Sequence, residues 1–125
     1  MLAAYQTVQV STAEPARLLL MLLDGGARYL DQALRALERG DHAAFAERTS
    51  QAYAVISELA VTLDHARGGE IGRSLDRLYD FMLRHLTLAL PTRDAGAVGT
   101  VRSLLETIRA GFEGAVTETR SAGRV

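Results

Sequence analysis

The 125-residue chain contains no cysteine and no tryptophan. Without thiols it can form no disulfide, no thiolate nucleophile and no cysteine metal site, which fits a reducing compartment. Proline occurs only twice, so long helices can run uninterrupted. Strand signals are scarce, with alternation confined to Gln6-Thr7-Val8-Gln9-Val10. Neither sign of charge dominates: the formal net charge is -1. A chain so balanced has no general attraction to nucleic acid or to an anionic membrane. It also lacks RRM-like and zinc-finger-like patterns. The longest apolar run, Leu18 to Leu23, is far short of the ~20 residues that span a bilayer. The opening Met1-Leu2-Ala3-Ala4-Tyr5-Gln6 has neither the basic segment nor the apolar core of a secretory signal. The expectation is a cytoplasmic protein with no nucleic-acid partner and no membrane insertion.

Catalytic and metal-binding signatures are missing too. His42, His65 and His85 lie in separate regions. No Glu-x-x-His pair marks a di-iron bundle, and no His-Glu-x-x-His marks a zinc protease. Gly68-Gly69-Glu70-Ile71-Gly72 is glycine-rich at a helix start, but it lacks the lysine and the preceding strand of a phosphate loop. No Gly-x-Ser-x-Gly occurs. No enzyme activity, cofactor or metal is expected. One other class stays open, a histidine phosphotransfer bundle. His65-Ala66-Arg67-Gly68 loosely echoes its motif, and His85 sits mid-helix before Leu86-Thr87-Leu88.

Four stretches have helical periodicity. The first runs from about Pro15 to Arg39, with proline suited to the first turn and Thr12 or Glu14 as cap. Gly40 ends it and Asp41 can cap the second, from about His42 to Ala66. That helix repeats Phe45, Ala52, Ile56, Leu59 and Leu63, as one buried stripe requires. Gly68-Gly69 stops it. The third, about Glu70 to Leu90, carries Ile71, Leu75, Leu78, Met82, Leu86 and Ala89. Pro91 and Thr92-Arg93-Asp94 form the next break. The fourth, about Asp94 to Glu118, carries Val98, Val101, Leu105, Ile108, Phe112 and Ala115. Matched lengths of roughly 35 Å and short loops predict an all-α fold, an antiparallel up-down four-helix bundle with an N-terminal arm. Residues 1–14 form the arm, 15–118 the bundle and 119–125 a flexible tail.

The apolar content exceeds what a bundle needs. Leu18-Leu19-Leu20-Met21-Leu22-Leu23 covers nearly the whole helix circumference, where one stripe of some three positions in seven suffices. The third helix adds Tyr79, Phe81, Leu83 and Leu88, and the second adds Tyr53, Val55 and Val61. Such surplus serves a binding groove, a homodimer face, a cover for the arm, or thicker core packing.

Three features together resemble the FliS family of flagellar secretion chaperones. The first is Tyr5-Gln6 through Val10, Thr12, Pro15, the Leu19 to Met21 run and Asp24-Gly25. The second is Gly68-Gly69-Glu70-Ile71 followed by Leu75, Leu78-Tyr79 and Phe81-Met82. The third is the layout of four helices in this length. Leu23 departs from the tyrosine usual before Asp-Gly, Glu14 from a better capping residue, and Gly26 from a frequent alanine. The resemblance implies a chaperone, not an enzyme, that needs no cofactor. It implies that the partner is the disordered C-terminal segment of flagellin, folded into short helices on an apolar groove so that premature polymerisation is blocked. The flagellar export gate is then the second partner. The expected contacts are Tyr5, Val8 and Val10 on the arm, Leu19 and Leu22 on the first helix, and Tyr53, Ile71, Leu75 and Tyr79 on the second and third. Ile71 and Leu75 also lie on the core stripe, so core packing competes for them. The arm could cover the groove until the client displaces it. A self-associating structural bundle is the remaining alternative.

Overall fold

The computed structural model describes the backbone of residues 15–65 and 69–123, and the side chains of 17–62, 69–70 and 72–114. It contains four helices: α1 (Pro15–Glu38), α2 (His42–His65), α3 (Glu70–Thr92) and α4 (Ala95–Gly123). No strand occurs among the described residues. Consecutive helices pack on each other, and α4 closes back onto α1. Two ion pairs set the direction of that closure. Asp24 meets Arg109 and Asp31 meets Arg102: seven residues forward in α1 are seven residues back in α4, so the helices are antiparallel. The fold is the expected four-helix bundle.

Local chemistry sets the helix ends. Gly40 adopts φ 75, a left-handed conformation that costs glycine little. Its N–H donates to the Leu37 carbonyl at 3.1 Å, and the Asp41 N–H donates to the Ala36 carbonyl at 2.9 Å. These two bonds form a Schellman motif, which satisfies the last carbonyls of α1. Asp41 then caps α2, its Oδ1 accepting from the Ala44 N–H at 3.0 Å. Asp94 repeats the cap on α4, accepting from the Ala97 N–H at 3.1 Å. Gly69 opens α3 at φ 90, again where only glycine is unstrained. The expected caps Thr12 and Glu14 lie outside the described residues.

Two boundaries differ from expectation. Helix α3 does not stop at Leu90 but carries Pro91 inside its last turn. A proline there removes only one helical N–H. The carbonyls that follow are bonded at the helix end: Thr92 Oγ1 donates to the Leu88 carbonyl at 3.1 Å and the Asp94 N–H to the Ala89 carbonyl at 3.1 Å. Helix α4 continues past Glu118 to Gly123, because no glycine or proline interrupts it between Gly114 and that point.

The core draws on every helix. Leu23 and Leu30 of α1 meet Phe45, Ile56 and Leu59 of α2, Met82 and Leu86 of α3, and Val98, Val101 and Leu105 of α4. Truncating Leu105 or Ile56 to alanine should cost about 2–5 kcal/mol. Gly26 is buried where three helices converge. A Cβ there would lie 3.2 Å from Leu105 Cδ1 and 3.4 Å from Val55 Cγ1. Thr49 is fully buried, and its Oγ1 has no hydrogen-bond partner among the described residues.

Candidate protein-binding surface

The side-chain phase of α1 follows from its buried positions. Leu23 and Leu30 point into the core, and at 100° per residue Leu18 and Met21 lie about 140° and 160° around the helix from Leu23. Both are exposed, Met21 at 62%. On α2, Val61 is 51% exposed and Tyr53 is also exposed. The contact of Gly26 with Val55 fixes the α1–α2 register. In an antiparallel pair it brings Val61 level with Leu20, so Leu18, Met21 and Val61 share one end of the α1–α2 hairpin.

The outer face of α2 extends this surface. Ala43, Ala46, Ser50 and Ala54 are exposed, none larger than a hydroxymethyl group. Polar and apolar residues are less segregated around α2 than around α1 or α3. Small side chains let a second helix approach closely, while Tyr53 and Val61 supply apolar contact. Glu47 and Glu58 border the face, and Arg17 and Arg28 are exposed on α1.

A pair of ionic clusters fixes α1 against α4. Arg102 bonds Asp31 through Nε and lies 3.0 Å from Glu106 through Nη2. Arg109 bonds Asp24 through Nε and Glu113 through Nη1. The two clusters repeat at seven residues. The hydrogen bond from Asp31, then its charge, raises the pKa of Arg102 above the ordinary arginine value. Asp24, then Glu113, does the same for Arg109. This seam joins α1 to α4, with Asp24 one turn along α1 from the exposed Met21.

The residues expected at the site fall into different places. Tyr53 is exposed on α2. Leu19, Leu22 and Leu75 are partly buried and pack against the core, with edges at the surface. Tyr79 is 2% exposed and belongs to the core; burial raises its phenol pKa above 10.0. Ile71 falls in the first turn of α3, and its side chain is not among those described. Tyr5, Val8 and Val10 lie outside the described residues. Leu18, Met21 and Val61 belong to the apolar surplus read from sequence but were not among the expected contacts. Phasing the leucine run against Leu23 as a core position would have found the first two. Among the described residues no group of three His, Cys, Asp or Glu could hold a metal ion, and no helix is long and apolar enough to cross a membrane.

The fold defines a class: an all-α four-helix bundle with large apolar side chains on its outside. Comparison with known proteins narrows it. Residues 1–119 match the family described as flagellar protein FliS. The flagellar secretion chaperone FliSB of Pseudomonas aeruginosa is 37% identical over 106 residues, 85% of this chain and 84% of that protein. The flagellar secretion chaperone FliS of Salmonella typhimurium is 41% identical over 100 residues, covering 79% and 74%. That of Bacillus subtilis is 32% identical over 117 residues, covering 94% and 86%. The chain belongs to the FliS family of flagellar secretion chaperones.

Proposed function

We propose that this chain is a cytoplasmic export chaperone for flagellin. It binds the disordered C-terminal segment of flagellin on its exposed apolar surface and delivers it to the flagellar export gate. The observation that carries this reading is the apolar end of the α1–α2 hairpin, Leu18, Met21 and Val61, on a bundle of the FliS family. A surface with large apolar side chains exposed in the free chain is stabilised by a partner that buries them. The rigid four-helix core gives a disordered client a preformed template. Such a client buries about 1,000–3,000 Å² and spends about 2–5 kcal/mol on ordering. A bundle about 35 Å long has room for that area. The client's apolar residues are then hidden, and filament nucleation is suppressed without any bond being made or broken.

The test is seeded polymerisation of purified flagellin monomers followed by light scattering. One equivalent of the chaperone should suppress growth, and Met21→Asp with Val61→Asp should restore it while the bundle still melts cooperatively. Unimpeded growth at excess chaperone would overturn the reading.

A further inference from the structure

The α3 side of the bundle carries a second exposed apolar face that the α1–α2 surface does not include. Phe81 and Leu88 are both exposed, Leu88 at 69%. They are seven residues apart, so they stack along one line of the helix. His85 lies between them, and its ring packs on Phe81 with centroids 4.0 Å apart at 36°. That contact fixes the aromatic edge of the face. The α3–α4 seam beside it is the most sparsely packed of the four. An open depression runs along the start of α3, lined by Glu70, Arg73, Ser74, Leu75, Arg77 and Leu78. Leu75 and Leu78 are half-buried there, and Glu70, Arg73, Ser74 and Arg77 are exposed around them.

The charges point to the occupant. Every cation of the chain is arginine, the side chain whose planar fork pairs with carboxylates in two bonds. Arg84 pairs with Asp80 at 3.0 Å. Arg73 and Arg77 are exposed and join no ion pair among the described residues. Among the described residues Glu70 is the one carboxylate on the rim of this depression. Asp76 and Asp80 line a separate depression on the α2 side with Ala60 and Leu83, and Arg77 stands on the crest between the two. The face therefore reads as two free arginines beside leucine, then phenylalanine, then leucine.

We propose that the solvent face of α3 from Arg73 to Leu88 is a second docking surface. Its occupant is an amphipathic helix of another protein, with an apolar row flanked by carboxylates. A partner helix of about four turns matches the length from Arg73 to Leu88. Its apolar row covers Leu75, Leu78, Phe81 and Leu88, and its carboxylates meet Arg73 and Arg77.

The test places a photo-crosslinking phenylalanine analogue at Leu88 in the full chain, expressed in the bacterium of origin. The expected result is an adduct with a protein other than flagellin. Its cross-linked segment should be an acid-flanked amphipathic helix. Arg73→Glu with Arg77→Glu should lower the adduct by about tenfold or more, the loss of two charge-assisted contacts. Arg73→Gln with Arg77→Gln should lower it less, and unchanged thermal melting of both variants shows that the bundle is intact. No adduct, an adduct with a second copy of this chain, or an adduct unaffected by charge reversal overturns the proposal. So does an adduct with flagellin, which would make this face part of the client surface and leave the chaperone reading standing.

Discussion

Replacing Gly25 and Gly26 by alanine, one at a time, separates packing from helix propensity at the centre of α1. Each glycine costs its helix about 0.8–1.0 kcal/mol relative to alanine. The surroundings of the two differ. Nothing lies within 4 Å of a Cβ added at Gly25, whereas one at Gly26 meets Leu105 Cδ1 at 3.2 Å and Val55 Cγ1 at 3.4 Å. Gly25→Ala should stabilise the fold by about 0.5–1 kcal/mol. Gly26→Ala gains the same propensity, but Leu105 and Val55 must move by a few tenths of an ångström. Its net effect should be within about 0.5 kcal/mol of zero, because the methyl group presses on two side-chain ends rather than on backbone. Gly26→Val adds two more methyl groups at a full site and should destabilise by about 1–3 kcal/mol. Urea denaturation at constant slope gives each value, since propensity cancels between the two alanine variants and the difference reports packing alone. Equal stabilisation by both alanines, or destabilisation by Gly25→Ala, would refute the placement of Gly26 at a three-helix contact.

Four further predictions follow from the same structure. Arg93 holds a left-handed conformation at φ 53, so Arg93→Gly should stabilise by about 1 kcal/mol, read as a higher urea midpoint. Thr49→Val replaces a buried, unpartnered hydroxyl by a methyl group of similar size and should stabilise by about 1 kcal/mol in the same assay. Tyr79 has its pKa raised by burial, so the unfolded chain releases the phenol proton first. Its contribution to stability is complete below about pH 10 and falls as the pH rises further, and Tyr79→Phe should remove that fall from chemical-denaturation curves. Deleting residues 1–10 should raise client affinity if the arm competes for the groove, and calorimetry showing unchanged or weaker binding would count against that competition.

Much of the fold was legible because periodicity records burial. The stripes Phe45–Ala52–Ile56–Leu59 and Val98–Val101–Leu105–Ile108 are the buried faces of α2 and α4, and Gly40-Asp41 marked a helix end and a cap through chemistry that is local in sequence. The end of α3 was less legible. Proline reads as a break, yet α3 runs through Pro91 to Thr92, and the Thr92 hydroxyl and the Asp94 amide bond the Leu88 and Ala89 carbonyls. Which apolar residues face outward was harder still. Six consecutive apolar residues carry no phase of their own, so Leu18 and Met21 separate from Leu23 only once a core position is fixed. Tyr79 looked like surplus beside the Leu75–Leu78–Met82 stripe, but the core of α3 is wide enough to take it in. The Asp–Arg–Glu clusters join residues more than seventy positions apart. Only the seven-residue spacing of Asp24 and Asp31, Arg102 and Arg109, and Glu106 and Glu113 hinted at them.

The measurement that bears most directly on the central claim is calorimetric titration of the full chain with the C-terminal segment of flagellin from the same bacterium. A segment of about 50 residues is long enough to bury the area that a folding client requires. The account predicts tight one-to-one binding with a large negative heat-capacity change, weakened at least tenfold by Met21→Asp with Val61→Asp. No heat and no binding at high concentration, with the bundle folded, would contradict it.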